Sequence, residues 1–419
     1  MDINGAIVDY SASLLLRYFR GGAIIGGDAP RLDHRRDVEL LKGHWAVSGP
    51  VRALVKYVLT HPHEAQSLLT FRTRVDDAVA RGRIDARRTW AHRIQSGLPS
   101  AIVAEEPVRS FKTGPNMLLA WVLREAAVYT ARLSSWQSPS SPYVTIVEEA
   151  QREIRAVQRI EPLRDPLRAI SLGQRPGPGA VRTAARARQQ IYRHAVLAYQ
   201  LLQGLERGDA EAMNVVARSA LIAPLEEWRR FELAVGLAAG EALAVACHSP
   251  LQLHLLGGDS SGPIITAGRY AIHWQQRTMH YTAPELEPSE FTTREILTAY
   301  GISVGSDRPD IVIVDRERDE VVAVIEVKYL AGDTASARFR EAVDQVVRYA
   351  RGYAALGETG PLIARSLVAL SHGAPVLLDA DAGAPASVDF AGIMRKELSF
   401  WAERLVEQPE PLLLAQLPH

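Results

Sequence analysis

Two short β-branched runs, IVIV (311–314) and VVAVIEV (321–327), flank the charged stretch DRERDE (315–320). Runs of this kind bounded by charged turns read as sheet strands, and a polar link this short joins them as an antiparallel hairpin. The C-terminal half is therefore committed to a sheet. Around it, GPIITAGRYAIHW (262–274) alternates like a second hairpin, ARFREAVDQVVRYARGYAAL (337–356) has helical periodicity, LIARSLVAL (362–370) reads as a strand, and a closing helix runs from Phe390 to Leu405. Counting the long helical pattern from Ala210 to Ala246, which Pro224 divides, the order is α, β, β, β, α, β.

The preceding residues have a different texture. Apolar positions recur at helical spacing in Val51–Leu59 and Met117–Ala131, with loops expected at SSWQSPSSP (134–142) and LGQRPGPG (172–179). A basic helix is expected over 180–204, carrying Arg182, Arg186, Arg188 and Arg193 beside an apolar stripe; it is a candidate for phosphate contact, though exposed arginines usually mark a solvated helix face. A chain of 419 residues suits two domains. The expectation is an α+β protein with a mainly helical domain over 1–205 and an α/β domain over 206–419. No internal repeat is visible.

Composition narrows the function classes. With 48 Lys plus Arg against 48 Asp plus Glu, overall charge gives no attraction to nucleic acid, so any such binding must use local surfaces. The single cysteine, Cys247, excludes an internal disulfide and a Cys-rich zinc site, and fits a reducing, cytoplasmic compartment. No export signal or apolar run of about 18 residues is seen, so no membrane anchoring is expected.

The chemistry lies in RPDIVIVDRERDEVVAVIEVKY (308–329). An antiparallel hairpin sets Asp310, at the start of one strand, beside Glu326, near the end of the other. Glu326 and Lys328 share a strand face, whereas Ile325 and Val327 point into the core. Carboxylates in such a cluster can hold a hard divalent cation, naturally Mg²⁺ with Mn²⁺ as substitute, and the main-chain carbonyl of Val327 can complete its shell. A cation there activates water and polarises a phosphate, and Lys328 can stabilise charge developing on the phosphorus oxygens. Glu-x-Lys alone is common on solvated strands. Its weight here comes from Pro309-Asp310 at hairpin distance and from the helix with Gln345 and Tyr349 one turn apart that follows.

Pro309-Asp310, Glu326-Val327-Lys328 and Gln345-x-x-x-Tyr349 together resemble the PD-(D/E)xK nuclease superfamily, in its expected order. RPDIVI, IEVKY and DQVVRYARGY further resemble McrC-like proteins, nuclease subunits of 5-methylcytosine restriction systems. GRIDARRTW (82–90), RSFKTGPNMLLAWVL (109–123) and PLEEWRRFELAVGLA (224–238) are similar to segments that precede the core in that family, so the resemblance spans roughly residues 80 to 355. It implies a restriction-endonuclease-like core and a metal-dependent endonuclease acting on DNA in defence against foreign DNA. It also implies work with an AAA+ type NTPase or helicase partner. By the same resemblance Asp310 and Glu326 ligate the metal, Lys328 supports the transition state, and Gln345 and Tyr349 brace the site. Glu226, before Trp228, supplies an extra metal carboxylate, with Glu227 and Glu232 as competing candidates.

This chain departs from the family in two places that bear on partnership. Pro115-Asn116 stands where many relatives have Glu-Asn, and the N terminus has no obvious strand-rich region for docking onto a motor. A rival reading is a nuclease-fold adaptor that docks DNA or stimulates a motor without cleaving. RNA as substrate and a homo-oligomeric state stay open.

Other candidates carry less. His61-Pro62-His63 has no further His or Cys at ligand spacing and reads as a turn, and Cys247-His248 reads as a buried thiol at a helix end. GGAIIGGD (21–28) and LGGDSSG (256–262) lack the Gly-Lys-Ser/Thr ending that binds nucleotide phosphates, so no NTPase is expected in this chain.

Overall fold

The computed structural model describes residues 2–24, 34–136, 143–170, 174–254, 262–278, 281–282, 288–299, 308–332, 334–354, 359–376 and 383–407. The chain forms two compact units, one of residues 42–134 with 145–212 and one of residues 1–41, 135–144 and 213–419. The boundary differs from the expected break after residue 205, because the first helix belongs with the C-terminal sheet.

The elements begin with α1 (Ile3–Ile24), α2 (His34–Ala46), α3 (Gly49–Thr60), β1 (Leu68–Asp77), β2 (Arg83–Ile84), α4 (Ala86–Ser96), β3 (Ala101–Ser110) and α5 (Gly114–Trp136). Next come α6 (Val144–Val157), α7 (Glu161–Ala169), α8 (Pro178–Arg186), α9 (Gln190–Arg207), α10 (Ala210–Val216) and α11 (Glu227–Ala246). The remainder is β4 (Leu251–Leu253), β5 (Ile265–Ala267), β6 (Tyr270–Trp274), α12 (Pro288–Ala299), β7 (Ile311–Asp315), β8 (Glu320–Lys328), α13 (Ala335–Tyr353), α14 (Thr359–Arg365), β9 (Leu367–Leu370), β10 (Ala386–Asp389), α15 (Phe390–Met394) and α16 (Leu398–Glu407). Among the described residues no helix is long and apolar enough to cross a membrane.

The helical unit contains α3 and α5 where periodicity places them, and also a three-stranded sheet of order β1-β3-β2 that corrects the expectation of no strand-rich region. Leu69, Phe71 and Val75 on β1, and Trp90 and Ile94 on α4, are all exposed by half or more. Leu69, Phe71 and Val75 alternate with Thr70, Arg72 and Arg74 along β1, a strand period that the sequence carries even though the apolar face stays exposed. Its root is clamped: the Tyr192 hydroxyl accepts from Gln66 N at 2.6 Å and donates to Asn116 Oδ1 at 2.5 Å. Asn116 Nδ2 in turn donates to the carbonyls of Gln66 and Phe111. Asn116 thus ties the two ends of the 67–110 excursion together.

The expected single helix over 180–204 is two, because Ala187 is extended (ψ 141°) and closes α8 before α9 starts. The expected loop over 172–179 ends early, at Pro178, whose fixed φ suits the first turn of α8. The 210–246 pattern breaks at Pro224 as expected, and a π-helical turn over Ala217–Ile222, which the periodicity did not announce, leads from α10 into that break. Parts of the two glycine-rich loops, and residues 137–142 of the Ser/Pro-rich stretch, lie outside the described residues.

The second unit is built on a seven-stranded mixed sheet of order β10-β9-β8-β7-β6-β5-β4. Pairs from β4 through β8 are antiparallel, whereas β8-β9 and β9-β10 are parallel. The parallel step from β8 to β9 needs a crossover, which α13 and α14 supply. LIARSLVAL is therefore α14 plus a strand of only Leu367–Leu370, and the closing helix is broken into α15 and α16 at Lys396, whose φ is 63°. Helix α13 covers one sheet face through Ala342 and Val346 against Val368. On the other, α11 lies close, with Gly236 facing Ile264 and Ile311 and Gly240 facing Ile265. The whole is α+β, with the central strands covered by helices on both faces.

Candidate active site

The hairpin β7-β8 pairs Ile311 with Ile325, so Asp310 stands just before one strand while Glu326 continues the other. Val327 N donates to Asp310 Oδ2 at 2.8 Å and locks that carboxylate against β8. Backbone groups of one strand residue point to the same edge and alternate along the strand. The carbonyl of Lys328 accepts from Ser371 N on the β9 side, so the carbonyl of Val327 faces the Asp310 side. Asp310 itself is held from its other flank, where Gln275 N donates to its carbonyl at 2.7 Å.

Glu326 is only 2% exposed. Its Oε1 accepts from Lys328 Nζ at 2.8 Å, whereas Oε2 is buried with no donor among the described residues. Burial, and then the neighbouring Asp310 charge, push the Glu326 carboxyl well above the ordinary range; burial likewise raises Asp310, against the Val327 amide and Lys328. Two adjoining carboxylates offer each other only lone pairs. A proton or a cation between them would relieve their repulsion.

A third carboxylate comes from α11. Glu232 is 3% exposed, and its Oε2 accepts from Trp274 Nε1 at 2.8 Å and Gln275 Nε2 at 2.7 Å. Burial and the Asp310 charge raise its pKa to about 8. The helix carries it there on one stripe: Glu232, Gly236 and Gly240 recur every fourth residue, and the glycines let that stripe lie against the sheet. Glu226, by contrast, is the N-cap residue of α11, exposed and 3.8 Å from Arg229. Glu227 accepts from Asn4 Nδ2 at 3.1 Å. Of the three candidates the structure brings Glu232 to Asp310, whereas Glu226 stands exposed at the start of α11.

Helix α13 adds a second stripe. Glu341 Oε1 stands 3.5 Å from Lys328 Nζ, Gln345 follows one turn on, and Tyr349 one turn further donates from its hydroxyl to the Arg308 carbonyl at 3.0 Å. Burial alone would lower the Lys328 ammonium, but Glu326, Asp310 and Glu341 outweigh it and hold its pKa above the usual value. Burial and the Glu326 charge push the Tyr349 phenol up. Gln345 Oε1 is buried with no donor among the described residues. Asp310, Glu326, Val327, Lys328, Gln345 and Tyr349 are thus assembled at one end of the sheet. Glu341, Trp274 and Gln275 were missed; only Glu341 had a signal, one helical turn before Gln345.

Among the described residues no three His, Cys, Asp or Glu side chains form a ready ligand set for a metal. Asp310 and Glu326 nonetheless fit a hard cation: both are oxygen donors, Glu326 is buried with the half-buried Asp310 beside it, and Glu326 Oε2 has no donor among the described residues. His61 and His63 make ring contacts in the helical unit without an added ligand set, and Cys247 is a half-buried thiol.

No family model matches the chain, and no curated protein matches it. Among solved structures it is similar to a chain from a Thermococcus gammatolerans assembly, a refined half-complex of McrB AAA+ hexamers with bound McrC. The two share 11% identity over 91% of this chain and 70% of that one, with a TM-score of 0.25. A score this low does not establish that the folds are alike.

Proposed function

We propose that the chain is a divalent-metal-dependent DNA endonuclease, McrC-like, with a restriction-endonuclease-like core and a role in restriction of foreign DNA. The observation that carries the reading is the buried Glu326 beside the half-buried Asp310 and Lys328, with Glu326 Oε2 lacking a donor among the described residues. In this reading Asp310, Glu326, the Val327 carbonyl and Glu232 hold the cation. Bound Mg²⁺ or Mn²⁺ would supply the Lewis acidity that polarises a phosphodiester and acidifies water. Lys328 meets the charge that develops on the phosphorus oxygens. Tyr349 fixes the Arg308 carbonyl, and through it the approach to Asp310. Gln345 offers its unpaired carbonyl oxygen to a water.

The partner in this reading is an AAA+ type NTPase. The exposed Leu69, Phe71, Val75, Trp90 and Ile94 of the three-stranded sheet and α4 are the surface a protein partner would cover.

Plasmid DNA incubated with the purified chain and Mg²⁺ or Mn²⁺ should be nicked or linearised, and Asp310→Ala or EDTA should abolish this. If no DNA is cut, even with Mn²⁺ and an added nucleotide-driven partner, the non-cleaving adaptor reading replaces this one.

A further inference from the structure

Gln275 directly follows β6 and has a φ of 51°, one of five non-glycine residues with positive φ among those described. A residue with a Cβ stays in that region only when its surroundings hold it there, and such positions cluster at functional sites. Three bonds hold this one. Its N–H donates to the Asp310 carbonyl at 2.7 Å, its Nε2 donates to Glu232 Oε2 at 2.7 Å, and its Oε1 accepts from Arg308 Nη2 at 3.0 Å. Trp274 Nε1 reaches the same Glu232 oxygen at 2.8 Å. Both donors converge on Oε2, and among the described residues no hydrogen bond reaches Glu232 Oε1.

We propose that Gln275 is a positioning residue. With Trp274 it cradles Glu232 so that Oε1 is the oxygen left for a cation held with Asp310 and Glu326, and its own backbone fixes Asp310 in the same frame. The inference rests on the reading of this cluster as a divalent-cation site. A strand-end role alone would not require two donors from adjacent residues to meet on one carboxylate oxygen. The left-handed backbone is what permits it: it turns the Gln275 side chain toward the helix while its N–H still meets Asp310.

The test is Mn²⁺ binding to the full chain without DNA, by titration calorimetry, with melting followed in EDTA. Gln275→Gly accepts the backbone but removes the amide, so it should melt within a few degrees of wild type while Mn²⁺ affinity falls about tenfold or more, as for other groups that orient metal ligands. Trp274→Phe removes only the other donor and should weaken Mn²⁺ in the same direction, which decides the matter if the glycine variant does not fold. Unchanged affinity in both variants, with Glu232→Gln binding weakly, overturns the positioning role and leaves the cation site standing. Affinity that falls only in step with melting temperature marks a structural role and also overturns it. A wild type that binds no Mn²⁺ removes the cation site and this inference with it.

Discussion

Lys328 Nζ donates to Glu326 Oε1 at 2.8 Å from two positions further along the same strand. The pair is compatible with cation binding because it occupies only one carboxylate oxygen. Lys328→Ala should lower single-turnover cleavage by about 100-fold or more, the effect of losing one positioned donor to a developing oxyanion. DNA affinity, measured by filter binding in EDTA, should persist. Equal loss of both would remove the assignment of Lys328 to the transition state.

The buried carboxyls make stability depend on pH in a definite direction. Glu232 rises from 4.5 to about 8 on folding, so the folded chain keeps a proton that the unfolded chain has lost. Its stabilising contribution is complete below pH 4.5 and is lost as pH rises to about 8. In EDTA the melting temperature should therefore fall across that window. Glu232→Gln should make the slope shallower by up to about 1.4 kcal/mol per pH unit, one proton's share. A slope unchanged by this variant would show that Glu232 does not titrate there.

Much of this site was legible in the sequence. The apolar strands and the charged turn give the β7-β8 pairing, and strand periodicity puts Glu326 and Lys328 on one face. What sequence could not reveal is which groups from outside the hairpin reach it. Glu226, Glu227 and Glu232 lie within two helical turns, and only the packing of α11 on the sheet, through Gly236 and Gly240, selects the last. Gln275 has no local signal, since its value lies in contacts with Asp310, Arg308 and Glu232. The three-stranded sheet did have a signal, Leu69, Phe71 and Val75 alternating with Thr70, Arg72 and Arg74, which the helical periodicity on either side of it outweighed.

That selection has a direct test. Glu226→Ala should leave metal-dependent cleavage within about twofold of wild type and stability nearly unchanged, as for an exposed ion pair. Glu232→Ala should abolish cleavage in Mg²⁺. Plasmid nicking rates for the two variants separate them, and the reverse pattern would restore Glu226 to the site.

Asn116 predicts an effect confined to the helical unit. Asn116→Ala removes both donors to the root carbonyls and leaves the buried Tyr192 hydroxyl without its acceptor, a loss of about 1–3 kcal/mol. Amide exchange should rise across β1 and β3 and stay unchanged in β7 and β8. Exchange that rises evenly through the chain would mean that the clamp is not local.

The two glycines of α11 should respond in opposite directions to the same substitution. A Cβ on Gly236 would meet Ile264 Cδ1 and Ile311 Cδ1 at 3.6 Å, ordinary contact, so Gly236→Ala gains helix stability of about 0.5–1 kcal/mol. A Cβ on Gly240 would lie 2.8 Å from Ile265 Cγ2 and 3.1 Å from Leu251 Cδ1, and β5 and β4 must give way or α11 must lift. Gly240→Ala should cost about 1–3 kcal/mol. Because the same stripe delivers Glu232 to Asp310, lifting α11 should also weaken Mn²⁺ binding, whereas Gly236→Ala should preserve it. Denaturant melts and Mn²⁺ titrations on the two variants check both halves. If Gly240→Ala loses stability but binds Mn²⁺ as wild type does, the helix is not what sets the distance between these two carboxylates.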